Sequence, residues 1–77
     1  MKLDNIDEEM IRKFRLSGIW RSYWDNGNVF MEKKYKNGVL DGYIRSWSID
    51  GHLNWESHYK NGWAVELNGY IRGKKAG

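Results

Sequence analysis

The sequence predicts a mainly β protein of the α+β class, in which one N-terminal helix precedes an antiparallel meander of five to six strands. Three observations predict it: one stretch of helical apolar spacing near the N-terminus, Asn-Gly or Asp-Gly dipeptides at intervals after it, and no proline in 77 residues. These dipeptides suit tight hairpin turns, and without proline no residue interrupts a strand ladder. We expect a single domain, with the helix in residues 1–17 and the sheet in residues 18–77.

The N-terminal segment has apolar residues spaced for one side of a helix. They are Leu3, Ile6, Met10, Ile11 and Phe14. Asn5 and Glu8 have the spacing of a capping box, and Ser17-Gly18 is a stop signal, so we expect a helix over about residues 5–15. Its apolar stripe, from Ile6 to Phe14, should cover one face of the sheet.

From Gly18 onwards the chain has the pattern of strands separated by four turn dipeptides, each of which favours a two-residue type I′ turn. The dipeptides are Asn26-Gly27, Asn37-Gly38, Asp50-Gly51 and Asn61-Gly62. Four such turns connect five antiparallel strands in simple up-and-down order.

The strands and turns also form a sequence repeat, with a period of about 24 residues. Gly18-Ile19-Trp20-Arg21 recurs as Gly42-Tyr43-Ile44-Arg45, and Tyr35-Lys36-Asn37-Gly38 recurs as Tyr59-Lys60-Asn61-Gly62. A third copy begins at Gly69, slightly later than this period would place it. The extra residues near Ala64-Val65-Glu66 predict a bulge or bend there.

This alternation of glycine-led strands with Asn-Gly turns, and the strands that end Tyr-Lys-Asn-Gly, resembles the MORN-type repeat over about residues 18–72. It is most similar to the short bacterial and phage variant that is often labelled an antitoxin component. The resemblance implies a MORN-like meander of β-hairpins that serves as a binding scaffold for protein, lipid or other partners. It implies no catalytic residue.

Two-residue turns would fix which residues oppose each other and therefore which share a face. The predicted pairs are Arg21 with Glu32, Tyr23 with Phe30, Tyr43 with His58, Arg45 with Glu56, and Trp47 with Asn54. One face, the core face, should carry Trp20, Trp24, Val29, Met31, Tyr35, Leu40, Ile44, Leu53, Trp55 and Tyr59. The opposite face, the candidate face, should carry the candidate binding residues Arg21, Tyr23, Phe30, Glu32, Tyr43, Arg45, Trp47 and Glu56. Arg45 is expected between Phe30 and Glu56.

Composition and motifs argue against several classes of protein. The chain has no Cys and only two His, His52 and His58, so we expect no disulfide and no metal site. We find no nucleophile with a base partner and no phosphate-binding glycine loop, and therefore expect neither catalysis nor a cofactor. A net charge of +3 on scattered residues is too weak for duplex DNA, and no apolar run could span a membrane. We expect a cytoplasmic protein.

Trp, Tyr and Arg carry much of the energy of protein interfaces, and here they share one face. The first hypothesis is therefore an antitoxin-like or phage-encoded inhibitor that docks this face on a toxin or defence enzyme. A second is an oligomeric sponge for a nucleotide or other anionic small ligand, with Arg21 or Arg45 holding phosphate. A lesser one is weak binding to anionic lipid through Arg72, Lys74 and Lys75. The Arg-Glu pairs also fit a purely structural ladder, and the rings also fit closure of a homo-oligomer.

Overall fold

The computed structural model describes residues 2–71 and 74–75. Its elements are α1 (Glu8–Lys13), β1 (Gly18–Tyr23), β2 (Val29–Lys36), β3 (Val39–Trp47), β4 (Leu53–Lys60), β5 (Trp63–Ile71) and the two-residue β6 (Lys74–Lys75). Each strand pairs antiparallel with the next one along the chain, and the sheet stays open. The mainly β class with one N-terminal helix is therefore confirmed. Arg72, the last residue of the third repeat copy, lies outside the described residues.

The four turn dipeptides form two kinds of hairpin. In Asn37-Gly38 and Asn61-Gly62 both residues have positive φ, between 50° and 85°, as a type I′ turn requires. In the other two turns only the glycines, Gly27 and Gly51, have positive φ, at 91° and 92°. These two turns are three-residue loops that end in glycine, each closed by a backbone hydrogen bond of 2.8 Å. The type I′ prediction is therefore right for two turns and wrong for the other two.

Side-chain hydrogen bonds account for the three-residue loops. The side-chain oxygen Oδ1 of Asn26 accepts the backbone N–H of Asn28 at 3.0 Å, and the Ser48 hydroxyl donates to the Asp50 carboxylate. The second bond lowers the pKa of Asp50. Bonds of this kind between Asn, Asp or Ser and nearby groups stabilise loop conformations that compete with the type I′ turn.

In the β1–β2 and β3–β4 hairpins the pairing inside the strands follows the prediction, and the pairing near the three-residue loops does not. Arg21 pairs with Glu32, Tyr43 with His58, and Arg45 with Glu56, as expected. Closer to the loops, Tyr23 pairs with Val29 instead of Phe30, and Trp47 pairs with Leu53 instead of Asn54. The reason is that each loop takes up one more residue than a type I′ turn, which leaves one residue of the next strand in a bulge. The two bulges occupy the same position in successive repeats, so the sequence repeat is also a repeat of hairpin geometry.

The bulge expected near Ala64-Val65-Glu66 is confirmed. Tyr59 pairs with Ala64 and His58 pairs with Glu66, which leaves Val65 as the extra residue of β5. The bulge shifts the register of the last long strand relative to the repeat that precedes it.

Backbone hydrogen bonds also connect each type I′ turn to an earlier part of the chain. The Gly38 N–H donates to the Leu16 carbonyl at 2.9 Å. The same bond recurs one repeat later, where the Gly62 N–H donates to the Leu40 carbonyl at 2.7 Å. The second type I′ turn is thus bonded to the first hairpin, and the first turn is bonded to the segment before β1.

The helix is shorter than expected. It begins after Asp7, whose carboxylate accepts the Glu9 N–H at 2.9 Å, so the N-cap is Asp7 and the capping box predicted from Asn5 does not form. Asn5 has φ 66°, which a helix does not allow. At the other end Arg15 takes a left-handed conformation, and the Leu16 N–H bonds back into the last turn. This Schellman-type ending stops the helix before Ser17-Gly18.

The core lies between the N-terminal segment and β1, β2 and β3. Leu3 and Ile11 are fully buried and contact the buried ring of Tyr35. Ile6, Leu16, Trp20 and Leu40 pack around them. Met10 and Phe14, expected in the covering stripe, are 49% and 59% exposed, so that part of the prediction is wrong. A six-residue helix has fewer than two turns and buries only Ile11 against the sheet.

The segment before the helix also protects one edge of the sheet. The Leu3 N–H donates to the Ile19 carbonyl at 2.8 Å, and Lys2 forms a parallel bridge with Ile19. The outer edge of β1 is therefore partly covered. Unpaired strand edges invite pairing with other chains, so this cover matters for the behaviour of the molecule.

Stability should fall in strongly alkaline solution because of Tyr35. Burial raises the pKa of Tyr35 to about 12, whereas an exposed tyrosine in the unfolded chain ionises near pH 10. The contribution of neutral Tyr35 to the free energy of unfolding is therefore complete below about pH 10. It declines by about 2–3 kcal/mol in all as the pH rises towards 12. Urea unfolding across this range, with Tyr35→Phe as the control, checks it. An equally steep decline in the phenylalanine variant would assign the effect to other groups.

Candidate binding face of the sheet

Four charged residues form a row across β1, β2, β3 and β4 on the candidate face. These residues, called here the Arg-Glu row, are Arg21, Glu32, Arg45 and Glu56, and each pairs in register with the next. Arg21 Nε donates to Glu32 Oε2 at 2.7 Å, and Arg45 Nε donates to Glu56 Oε2 at 2.6 Å. Glu32 Oε1 also lies 3.7 Å from Arg45 Nη1, so Glu32 joins the two pairs. The side chains are only 20–31% exposed.

The row is electrically balanced. Its two guanidinium groups alternate with two carboxylates, and the hydrogen bond to Glu32 raises the pKa of Arg21. Charge-assisted bonds of this length hold the side chains in fixed positions. A phosphate that approached either arginine would have to compete with a carboxylate that is already bound.

Glu32 should contribute more to stability than Glu56, because it contacts two arginines and Glu56 contacts one. Replacing Glu32 by glutamine should cost about 0.5–1 kcal/mol, and the same change at Glu56 about half of that, since pairs of this kind at partly exposed positions are worth a few tenths each. Urea unfolding at low and high salt measures both losses. Equal losses would show that Glu32 does not couple the two pairs.

A stack of three side chains lies beside the row. The rings of Tyr43 and His58 are stacked, with centroids 4.0 Å apart and an angle of 28° between the planes. Arg45 Cζ lies 4.0 Å from the centroid of the Tyr43 ring, a cation–π distance. Tyr43 is 37% exposed, so the stack presents a held ring to solvent. His58 was not among the candidate binding residues. The predicted pairing of Tyr43 with His58 was the sequence signal that could have included it.

Tyr23 lies at the β1 side of the candidate face and is held by the N-terminal segment. Its hydroxyl donates to Asp4 Oδ2 at 2.9 Å, and this bond raises the pKa of Tyr23. The other carboxylate oxygen of Asp4 accepts the backbone N–H of Arg21 at 3.0 Å. No feature of the sequence indicated that Asp4 would reach this face.

Phe30 and Trp47 lie near the three-residue loops and have Trp24 as a common neighbour. The rings of Trp24 and Phe30 are 4.4 Å apart, and Trp24 Nε1 donates to the Trp47 carbonyl at 3.1 Å. Trp24 was expected on the core face and Phe30 on the other, a separation that this contact contradicts. The bulge at Phe30 is the cause. A separate register shift between β2 and β3, between Lys33 and Tyr35, makes Glu32 the β2 neighbour of Arg45 in place of Phe30.

The structure thus brings four of the candidate residues into the row, places Tyr43 against it, and sets Tyr23, Phe30 and Trp47 at its margins. In residues 2–71 and 74–75, no cluster of three or more His, Cys, Asp or Glu side chains is placed to hold a metal ion. No helix in the same part of the chain is long and apolar enough to cross a membrane. Comparisons with protein-family models, with curated proteins and with solved structures give no match.

Proposed function

We propose that this protein is a non-enzymatic binding module that docks the candidate face of its sheet on a partner protein. The observation that carries the proposal is the stack of Arg45, Tyr43 and His58 beside a balanced row of charges. Tyr and Arg are the residues that most often dominate interface energies. Here both are already held in position, so little side-chain entropy would be lost on binding.

The charge pattern favours a protein partner over an anionic small ligand. Both arginines of the row are bonded to carboxylates, so the row offers alternating charges instead of an excess of positive charge. Alternating charges can be matched by a complementary protein surface, and such matching mainly provides specificity. The resemblance to MORN-type scaffolds also supports binding. In this proposal docking inhibits a cytoplasmic partner, such as a toxin or a defence enzyme, without chemistry of its own.

The test compares Tyr43→Ala with Met10→Ala, a control at an exposed apolar position of the helix. The partner is identified by cross-linking and co-purification from the native host, and its affinity for each purified variant is then measured. We expect Tyr43→Ala to weaken binding by about 1–3 kcal/mol and Met10→Ala to leave it unchanged. Circular dichroism should show that both variants are folded.

The same preparation distinguishes the alternative. If ATP binds the wild-type protein, and if the affinity falls steeply with salt and with Arg45→Ala, the protein is a nucleotide sponge and the docking proposal is wrong. If wild type and Tyr43→Ala bind the partner with equal affinity, the stack is not part of the interface.

A further inference from the structure

The candidate face carries a second line of residues beside the Arg-Glu row, on the side nearer the type I′ turns. Lys34 and Tyr43 meet in this line next to the register pair of Lys33 with Ile44, and its other neighbours are register pairs. Paired residues share a face of a sheet. From the segment before α1 to β5, the line contains Lys2, Ile19, Lys34, Tyr43, His58 and Glu66.

The Arg-Glu row also continues past both of its ends. Asp4 lies beside Arg21, whose backbone N–H it accepts, and Asn68 of β5 pairs with Glu56. Leu3 is buried in the core, so Lys2 and Asp4 on either side of it face the other way, as alternation along an extended segment requires. Both lines therefore cross the whole face, from the N-terminal segment to β5.

The Arg-Glu row is complementary to its own reverse. From β1 to β4 its charges are positive, negative, positive and negative. A two-fold axis that lies in the plane of contact, along the strands and between β2 and β3, reverses this order in a second copy. Arg21 then lies opposite Glu56 of the second copy, and Glu32 lies opposite its Arg45. An isologous contact needs a surface that matches itself in this way.

The second line matches itself under the same rotation. Lys2 comes opposite Glu66 of the second copy, at the two margins of the face. Lys34 comes opposite the ring of Tyr43, which a cation can contact through its face. The position of the axis follows from the Arg-Glu row alone, so this agreement is a second and independent observation.

The remaining charged residues on this side of the sheet add no like-charged pair to the two lines. Lys36 comes opposite Val39, which is its own register partner on β3, and Asp4 comes opposite the uncharged Asn68. The others lie outside both lines, in or next to the turns or beyond β5, and they are Asp25, Asp50, Lys60, Lys74 and Lys75.

The bonds within the row leave capacity for bonds to a second copy. Arg21 and Arg45 each donate from Nε to a carboxylate. A guanidinium group has five N–H donors, and a carboxylate accepts about four bonds. Each charged group can therefore keep its neighbour in the sheet and bond to the residue opposite.

From this self-complementarity we infer that the candidate face also binds a second copy of this chain, face to face, about a two-fold axis between β2 and β3. The two sheets pack in the aligned orientation that is common in sheet-on-sheet contacts. The dimer covers the Tyr43 stack, so this inference goes beyond the docking proposed above. A partner protein has to displace the second copy, and the monomer is the form that docks.

The test exchanges charges at the margins of the face, where Lys2 and Glu66 meet across the dimer. Sedimentation equilibrium of the full-length protein, from micromolar to millimolar concentration, gives the dissociation constant of the dimer. Lys2→Glu alone and Glu66→Lys alone each place like charges at two symmetry-related contacts, so each should weaken the dimer by about tenfold or more.

A mixture of Lys2→Glu and Glu66→Lys should restore the affinity, because both contacts of the mixed dimer join opposite charges. Native mass spectrometry, in which the two variants differ in mass, should show the mixed dimer in preference to either homodimer. Within one chain Lys2 and Glu66 lie at opposite margins of the sheet, so the rescue cannot come from a contact inside the monomer.

Glu9→Lys is the matched control, because it makes the same change of charge as Glu66→Lys at an exposed position of α1, on the other side of the sheet. It should change the dissociation constant by less than about threefold. The net charge of +3 provides a further control. Lys2→Glu lowers this charge and Glu66→Lys raises it, so general repulsion would shift the two variants in opposite directions, whereas the contact predicts weakening in both.

Three results would overturn the inference: a monomer at every concentration, equal losses in Glu9→Lys and Glu66→Lys, or a mixture without preference for the mixed dimer. These measurements contain no partner protein. A failure here therefore leaves the docking proposal in place, and loss of the docking proposal leaves the dimer in place.

Discussion

Alanine at Gly38 should destabilise the fold by about 2–4 kcal/mol, from overpacking together with left-handed strain. Gly38 has φ 84°, and a Cβ there would lie 2.9 Å from Arg15 Cα and 3.0 Å from the carbonyl oxygens of Ile11 and Arg12. These are backbone atoms at the end of α1, so they cannot move aside as a flexible side chain would. Urea unfolding followed by tryptophan fluorescence measures the loss.

Gly62→Ala is the matched control for this change. Gly62 occupies the same position in the next repeat with φ 85°, but its nearest neighbour would be Val39 Cβ at an ordinary 3.7 Å. Its replacement should cost only the strain of the left-handed conformation, about 1 kcal/mol. The difference between the two variants then measures how tightly the helix end packs on the first type I′ turn. Equal losses would mean that the helix moves away without cost.

The second large effect is expected in the core, where Ile11→Ala should cost about 2–5 kcal/mol. Ile11 is fully buried against Tyr35 and is the only buried residue of α1. A loss of this size approaches the whole stability of a small domain, about 5 kcal/mol at the low end. The variant should therefore be partly unfolded at room temperature.

Met10→Ala is the control, because it removes an apolar side chain from the same helix at a half-exposed position. It should change the free energy of unfolding by less than about 1 kcal/mol. Leu3→Ala provides a second test of the same core from outside the helix, and it should resemble Ile11→Ala. Small effects at both Leu3 and Ile11 would contradict the packing of the N-terminal segment on the sheet.

The sequence was most informative where local chemistry decides the structure. Asn37-Gly38 and Asn61-Gly62 adopt the turns that their residues favour, and the strands between them follow. At Asn26-Gly27 the prediction failed because the side chain of Asn26 bonds to Asn28, a choice that the dipeptide alone does not reveal. The length of the helix was overestimated because apolar spacing alone does not show how few of its residues reach the sheet.

The candidate face was predictable within each hairpin, but not between β2 and β3 or at its margins. The sequence repeat places Arg21, Glu32, Arg45 and Glu56 on one face, and they form the row. Near the loops a shift of one residue was enough to move Phe30 against Trp24. Contacts from a segment distant in sequence, such as Asp4 with Tyr23, depend on tertiary packing and leave no periodic signal.

The hydrogen bond from Gly62 to Leu40 joins the second type I′ hairpin to the first, and the bond from Gly38 to Leu16 joins the first to the segment before β1. In such an arrangement folding cooperativity is transmitted from unit to unit, as in a one-dimensional lattice, and no contact has to close the sheet upon itself. Duplication of the repeat unit within a gene would therefore lengthen the lattice without requiring a new core. The N-terminal segment acts as the terminal cap of that lattice at the β1 side.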